Sequence, residues 1–497
     1  MRQIDLNKAG KFRSLDLASF SPKPVHYLFL LVVAVATLVL FYRLGDPALK
    51  NWDEAIYAEV AKEILQTRDW LTLHWQHATW FEKPPLSFWI MSGLFGLFGV
   101  NEFSARAVSA LAGVGVVAVI FGIGKLQRGP VCGLIAALIL LTTFQFVQMS
   151  RLVNTDVLLV FFIYLAIYGY LRARNGDRRW WYVASVSCAL GFLVKSFASL
   201  FAPAAIAFAL VVDGHVRETL RAKHFWFSIL AGLAVAVPWH AAMIYLHGSA
   251  FEDEYFYYHV WSRTITALEG HTADHWFYFR EIWEKTHPWW SIAPFAVIFG
   301  LWQVKRGRSS VVVLVLAMLV FGFYTGALTK STGYLLPVYP ALALLISDLF
   351  TWVWDRNRLA IRVAVVLICV CFAYAAVLKI LSYYVRFEGQ DEAVKQLALL
   401  AAAKDSPQEL IVYSRSGEFD SQAALFYSDK PVIQATGQTS GYRTSPYHNN
   451  KPLGEVVGEQ PSGIILARDD VEALRVEYEI DIVGHSHDFV YAHIRKK

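Results

Sequence analysis

Charge is scarce in this sequence. Only 17% of its 497 residues are Asp, Glu, Lys or Arg, and the 40 acids nearly balance the 45 Lys and Arg. A disordered chain needs few apolar residues and a high net charge, so that class is excluded. A net charge of +5 also gives little support to a nucleic-acid binder, which concentrates positive charge on one face. Cysteine is scarce too. Cys132, Cys188, Cys369 and Cys371 all sit in apolar runs, where they read as packing residues rather than disulfides or metal ligands. No internal repeat and no Gly-rich phosphate loop occurs. What the chain has is apolar and aromatic side chains, at 56% and 15%, the pattern of a polytopic membrane protein with aromatic belts.

The basic stretch from Arg2 to Lys23 is too long and polar for a cleaved leader, and no small-residue cleavage site follows the apolar run. Candidate spans are 26–42, 104–124, 130–150, 153–171, 181–197, 198–212, 225–246, 288–303, 309–328, 333–354 and 361–381, which makes eleven. The apolar 86–99 stretch extends the range to about 11–13 transmembrane helices. With residues 1–24 inside, alternation places the turns at 125–128, 172–179, 217–223, 305–308 and 356–362 inside as well. Every short basic turn then falls on one side, as the positive-inside rule demands. The opposite side receives the 43–103 loop, the 247–287 loop and the region 382–497.

That last region reads differently. Segments 409–414, 430–435, 462–467 and 489–494 have strand character, and 421–428 and 469–478 have helix character. Alternating strands and helices predict a small α/β domain beside an all-α membrane bundle spanning 25–381.

Polar residues with chemical potential gather on the outer side. In WDEAIYAEVAKEIL (52–65), Tyr57, Val60, Ala61, Ile64 and Leu65 form an apolar face, with Glu59, Lys62 and Glu63 opposite. This predicts an amphipathic helix lying on the membrane. Asp53 stands at its start, where it reads either as an N-cap or as a catalytic carboxylate, and Glu54 follows. In WFEKPPLSFW (80–89), Glu82 and Lys83 sit among aromatics, held out of helical geometry by Pro84 and Pro85. Asp156, Lys195, Lys330 and Tyr334 lie at outer span ends, and His259 and Arg263 lie one turn apart if YHVWSR is helical. Singly, each reads as an interfacial anchor. Together they put four carboxylates (Asp53, Glu54, Glu82, Asp156) beside four cations (Lys83, Lys195, Arg263, Lys330) at headgroup depth. Cations there suit a phosphate-bearing lipid, and carboxylates beside them suit proton transfer or orientation of a nucleophile.

D-E-x-x-Y-A-E-x-A-x-E-I-L, D-W, W-F-E-K-P-P-L-x-F-W and E-F-S-A-R resemble the first outer loop of the GT-C lipid-linked-sugar glycosyltransferases, nearest in pattern to the bacterial aminoarabinose (lipid A) transferases and the protein O-mannosyltransferases. The resemblance continues in N-T-D-V-L-L (154–159), G-F-L-V-K (191–195), V-P-W, H-P-W and K-S-T-G-Y-L-L-P-V-Y-P (330–340), from residue 25 to about 350. It implies a multi-span bundle, a polyprenyl-phosphate sugar donor and a cavity open to the periplasm of a bacterial inner membrane. It implies Asp53 as the catalytic carboxylate, with Glu54 and Asp156 beside it in the catalytic set. By the same resemblance Lys83 and Arg263 would bind the donor phosphate, joined by Lys195, Lys330 and Tyr334. In some members Glu82 and a histidine matching His259 hold a divalent metal, the one cofactor the resemblance raises. Arg68 and Ser196 stand where the family pattern has glycine.

Two function classes follow. One is an enzyme moving a sugar from polyprenyl phosphate to lipid A, to another envelope lipid or glycan, or to protein Ser/Thr. The other is a lipid transporter or flippase, which places charges near the midplane and shows repeated halves. Charges at the outer surface and no visible repeat favour the enzyme.

Overall fold

The computed structural model describes residues 22–262, 273–304, 311–356, 359–385, 389–403, 409–415, 422–436 and 451–497. It is a helical bundle carrying a small C-terminal sheet domain. Among the described residues six helical stretches are long and apolar enough to cross a membrane: Glu102–Arg128, Asp156–Arg174, Trp180–Val212, Lys223–His247, Thr332–Trp354 and Arg362–Ser382. Shorter apolar helices accompany them at Val25–Phe41, Leu86–Phe98, Pro130–Leu141, Ala293–Val304 and Val311–Gly326. The protein is a multi-pass membrane protein.

Helices α1 (Pro22–Phe41), α2 (Asp53–Thr67), α3 (Leu86–Phe98), α4 (Glu102–Arg128) and α5 (Pro130–Leu141) open the chain. Asn101 caps α4 by accepting the Ser104 N–H at 2.9 Å. Gly129, at φ 93°, reverses the chain into α5, whose first turn tolerates Pro130. The two helices touch backbone to backbone: a Cβ on Gly133 would lie 2.4 Å from the Phe121 carbonyl oxygen. After α6 (Phe144–Met149) come α7 (Asp156–Arg174), α8 (Trp180–Lys195), α9 (Phe201–Val212), α10 (Val216–Arg221) and α11 (Lys223–His247).

The apolar stretch 180–212 is two passes, as the sequence predicts. Ser196 breaks it at φ 45° and ψ −129°, a short 3-10 turn follows, and α9 runs back beside α7. Ion pairs Arg174–Asp213 at 2.8 Å and Arg178–Glu218 at 3.3 Å tie the start of the hairpin to its end. Arg128 pairs with Asp348 at the same kind of turn, where α4 meets the Val338–Trp354 helix. Lys305, Arg306, Arg308 and Arg358 lie outside the described residues.

The amphipathic reading of α2 needs correction. Residues 54–64 are all buried, including Glu59, Lys62 and Glu63. The helix does not lie with one face in water, because the C-terminal domain covers the polar face. Lys62 Nζ donates to Glu59 at 2.8 Å, to the Phe426 carbonyl at 3.0 Å and to Asp429 at 2.7 Å. Burial pushes the Glu59 carboxyl above its ordinary pKa, and the Lys62 charge opposes the shift. The apolar face meets Trp80 and Phe88, which pack edge-on to each other and to Tyr57.

A two-stranded hairpin, β1 (His74–Trp75) with β2 (Ala78–Thr79), sits in the first loop. The C-terminal sheet holds β3 (Leu410–Ser414), β4 (Val432–Thr436), β5 (Lys451–Pro452), β6 (Ser462–Ala467), β7 (Tyr478–Ser486) and β8 (Phe489–Lys496) in the order β5-β4-β3-β6-β8-β7. The first four strands are parallel, and β8 and β7 are antiparallel additions. Strand alternation splits its side chains between two cores. Ile411, Tyr413, Ile464, Leu466, Val490 and Ala492 face one core, while Leu410, Val412, Ile465 and Tyr491 join the core of the bundle. Helices Gly389–Ala403 and Gln422–Ser428 lie on that second face and connect the sheet to α2.

Candidate active site

Several sequence-predicted residues meet around one cavity of about 420 Å³. Its polar end holds Glu82, Lys83, Lys195, Ser196, Tyr255, His259 and Tyr334. Its apolar wall comes from Phe197, Leu200 and Phe201 at the α8–α9 turn and from Leu319 and Phe323 on the Val311–Gly326 helix. Phe197, Leu200 and Phe323 are also exposed, so this wall continues onto the outside of the bundle. The cavity thus joins a polar end carrying two lysines to an apolar wall.

Each polar residue is placed by a distinct local cause. Pro84 and Pro85 end the extended run before α3, so Glu82 and Lys83 sit in a bend. Lys83 Nζ lies 3.5 Å from Glu82 Oε2 and donates to the Glu82 carbonyl at 3.4 Å. Lys195 ends α8, donates to Asp156 Oδ1 at 2.6 Å and lies over the Tyr334 ring at 5.3 Å. Tyr334 stacks on Tyr324 with centroids 4.7 Å apart. Asp156 opens α7, and its other oxygen packs against Gly333, where a Cβ would stand 3.3 Å away. Asp156 thus holds Lys195 from behind the cavity.

Asp53 is exposed and is the first residue of α2. The N-cap is Trp52, not Asp53, with φ 68° and ψ −132° and no side-chain cap. The capping reading of Asp53 therefore fails on geometry. Its carboxylate accepts no hydrogen bond among the described residues, and its charge acts on the Lys195 ammonium. A non-glycine residue at the Trp52 angles costs roughly 1–3 kcal/mol and persists only where the surroundings hold it.

Two predicted roles give way to structural ones. Glu54 is buried with both oxygens spent: Oε1 accepts from Arg106 Nε at 2.9 Å and the Val153 N–H at 2.7 Å, Oε2 from Arg106 at 2.9 Å and the Lys50 N–H at 3.0 Å. A carboxylate so engaged has no lone pair aimed at a substrate. Lys330 is buried outside the cavity lining, and its ammonium donates to the carbonyls of Tyr324 at 2.9 Å, Thr325 at 2.6 Å and Ala327 at 2.6 Å. It caps the C-terminus of the Val311–Gly326 helix, where the macrodipole favours a cation, and has no N–H left for a phosphate.

Arg263 lies outside the described residues. His259 lines the cavity on a segment, Glu252–Ser262, wound as a π-helix rather than an α-helix, and its expected one-turn spacing to Arg263 lies outside the described residues. Glu82 and His259 share the cavity, but no group of three or more His, Cys, Asp or Glu capable of holding a metal occurs among the described residues.

The sequence did not single out Tyr255, His240 or Glu254. Ser196 Oγ donates to the Tyr255 hydroxyl at 2.6 Å, and that hydroxyl meets His240 Nε2 at 2.9 Å. Glu254 Oε1 accepts the Phe81 N–H at 3.1 Å, and burial, with the nearby Glu82 charge, pushes its carboxyl up to about 7. The two residues at glycine positions of the family pattern share one cause: Arg68 has φ 59° and Ser196 φ 45°. Both backbone sites suit glycine. Arg68 is the exposed C-cap of α2 and lines no cavity, whereas Ser196 lines this one.

Residues 82–241 match the dolichyl-phosphate-mannose-protein mannosyltransferase family. The chain is 27% identical over 323 residues to an undecaprenyl phosphate-alpha-4-amino-4-deoxy-L-arabinose arabinosyl transferase of Pseudomonas fluorescens, covering 62% of this chain and 57% of that protein. It is 28% identical over 345 residues to the transferase of the same name from Sodalis glossinidius, covering 66% and 60%. The chain thus spans about three fifths of the length of these curated relatives. The crystal structure of ArnT from Cupriavidus metallidurans bound to undecaprenyl phosphate superposes with a TM-score of 0.75 at 19% identity, over 93% of this chain and 97% of that one. The chain thus has the fold of the ArnT crystal structure, and its matched segments are similar in sequence to the mannosyltransferase family and to the arabinosyl transferases.

Proposed function

We propose that this protein transfers a sugar, of the aminoarabinose type, from undecaprenyl or a related polyprenyl phosphate to lipid A or another envelope acceptor. The transfer takes place on the periplasmic side of a bacterial inner membrane, where the C-terminal domain also lies. The observation that carries the reading is the pairing of Lys83 and Lys195 with an apolar wall that runs outward from the same cavity. The relatives' printed activity and the undecaprenyl phosphate of the ArnT structure support the donor. The basic-turn pattern supports the orientation.

In this reading the donor phosphate sits between Lys83 and Lys195, with Arg263 completing the set, and the polyprenyl chain follows Phe197, Leu200 and Phe323. Asp156 and Tyr334 keep Lys195 in place. An acceptor oxygen attacks the anomeric carbon, the bond from that carbon to the phosphate oxygen breaks, and polyprenyl phosphate leaves with the bonding pair. The cations offset the charge that grows on it. Asp53 takes the proton of an acceptor hydroxyl. A phosphate acceptor is already largely ionised near neutral pH, and Asp53 then orients it or the sugar amine. The family match at 82–241 supports protein O-mannosyl transfer as a second reading, which differs only in sugar and acceptor.

Purified protein is incubated with labelled undecaprenyl-phosphate aminoarabinose and lipid A. Labelled lipid A and free undecaprenyl phosphate are expected, and Asp53→Asn should cut the rate by roughly 10²–10⁴ at unchanged melting temperature. An intact sugar–phosphate bond in the presence of protein, with label moved across a vesicle, would make the protein a flippase instead.

A further inference from the structure

The C-terminal domain reaches the candidate catalytic residue through one short helix, Gln422–Ser428. That helix holds three of the four residues leading into α2, Leu49, Asn51 and Trp52. The Leu49 N–H donates to Tyr427 Oη at 2.8 Å, and the Trp52 N–H donates to Gln422 Oε1 at 3.4 Å. In return, Asn51 Oδ1 accepts the Ala423 N–H at 3.0 Å. Tyr427 Oη in turn donates to Glu102 Oε1 at 3.0 Å, and Lys395, also from the C-terminal region, pairs with Glu102 at 2.6 Å. The tyrosine hydroxyl therefore accepts and donates at once, which fixes its direction. Gln422 is buried to 1% exposure, so water does not replace it.

What these bonds hold is the strained residue. Trp52 keeps angles that a tryptophan does not choose, and Asp53 is the next residue. Ordinarily a side chain at the N-cap takes up the free N–H groups of a first turn. Here Trp52 offers no such side chain and Glu54 reaches back to the Lys50 N–H, so Asp53 is left uncommitted. If Trp52 relaxed, the chain would enter α2 at a different angle, and the Asp53 carboxylate would move with the first turn.

We infer that Gln422 and Tyr427 are positioning residues for transfer: the C-terminal domain holds Trp52 in its strained conformation and thereby aims Asp53 at the cavity. The inference rests on the catalytic reading of Asp53 given above. Strain kept at one residue by contacts from another domain is a common way to pre-organise a site.

The test measures kcat, and KM for undecaprenyl-phosphate aminoarabinose, with lipid A as acceptor and the full-length protein. Gln422→Leu keeps the volume and removes the acceptor, and Tyr427→Phe removes a single oxygen. Each should lower kcat by about 10- to 100-fold with donor KM unchanged, the size of effect expected from a displaced reacting group. Gln422→Glu keeps an oxygen in place and should restore most of kcat. Added to Asp53→Asn, Gln422→Leu should cost nothing further, because both act through one group. Normal kcat in Gln422→Leu and Tyr427→Phe beside an inactive Asp53→Asn would overturn the inference, as would additive losses in the double variant. Should Gln422→Leu fail to fold, Tyr427→Phe alone decides. An active Asp53→Asn would instead remove the catalytic reading of Asp53 on which the inference stands.

Discussion

Glu54 offers the sharpest separation between a catalytic carboxylate and a strut. Its four accepted bonds include two from Arg106, whose remaining N–H groups reach the carbonyls of Leu44 at 3.2 Å, Pro47 at 2.7 Å and Ala48 at 2.7 Å. All of the guanidinium's donors are thus used, and the pair ties the 44–48 turn, α2, α4 and the Val153 backbone into one knot. In Glu54→Gln one oxygen becomes an NH2 group facing two donors. Two charge-assisted bonds are lost, each worth about 1.5–3 kcal/mol, and a buried guanidinium loses its counter-charge. Removing one partner of a buried pair costs about 3–5 kcal/mol, so we expect a stability loss in that range. Thermal unfolding in detergent, followed by a thiol dye reacting with the buried Cys132 and Cys369 in a Cys188→Ser, Cys371→Ser background, reads the change. Glu54→Gln should melt well below wild type, and transfer should fall only in proportion to the folded fraction. Wild-type melting with abolished transfer would return Glu54 to the catalytic set.

Lys83→Ala should weaken donor binding by about 2–5 kcal/mol at unchanged melting temperature, and normal transfer by Lys83→Gln would reduce Lys83 to an interfacial anchor. Lys330→Ala should do the reverse, lowering stability by about 1–3 kcal/mol while titration with undecaprenyl phosphate shows unchanged affinity. Glu254 has a carboxyl raised to about 7, chiefly by burial. A raised acid binds its proton more tightly in the folded state, so its contribution is fullest below about pH 4.5 and is lost as pH rises toward 7. Glu254→Gln should remove that slope and melt higher than wild type at pH 8, by an amount equivalent to about 1 kcal/mol once solvent screening of this half-buried group is allowed for; identical pH–melting curves would count against it.

The apolar spans were legible because hydropathy acts along the chain. The Glu82–Lys83 bend was legible because two prolines mark it. Less legible was anything decided by contact. Strand β7 alternates Glu479 and Asp481 with Ile480 and Ile482, an edge-strand alternation that its proximity to helix-forming residues disguised. The Gly389–Ala403 helix carries apolar Val394, Leu397, Ala398 and Ala401 at helical spacing, a signal that the sequence does hold. The covered polar face of α2 is different in kind. Nothing local in Glu59 or Lys62 says that Phe426 and Asp429, more than 350 residues on, will close over them. Lys330 likewise looks like any interfacial lysine until its three carbonyl partners are seen.

The break at Ser196 has a bearing on how the chain enters the membrane at all. Residues 180–212 form a largely apolar stretch of 33 residues, which as one straight helix would measure about 50 Å against a hydrocarbon core of about 30 Å. An insertion machinery reading greasiness alone has no reason to divide such a segment. Lys195 stands close to its midpoint, and a lysine at the bilayer centre is disfavoured by about 2.5–3.5 kcal/mol on insertion scales. Moving that ammonium to the surface folds the segment into a hairpin and sets the sidedness of every later loop. Lys195→Leu would remove that instruction before any chemistry is reached, so its phenotype reports biogenesis. Lys195→Arg keeps the instruction and is the variant that reports on the phosphate.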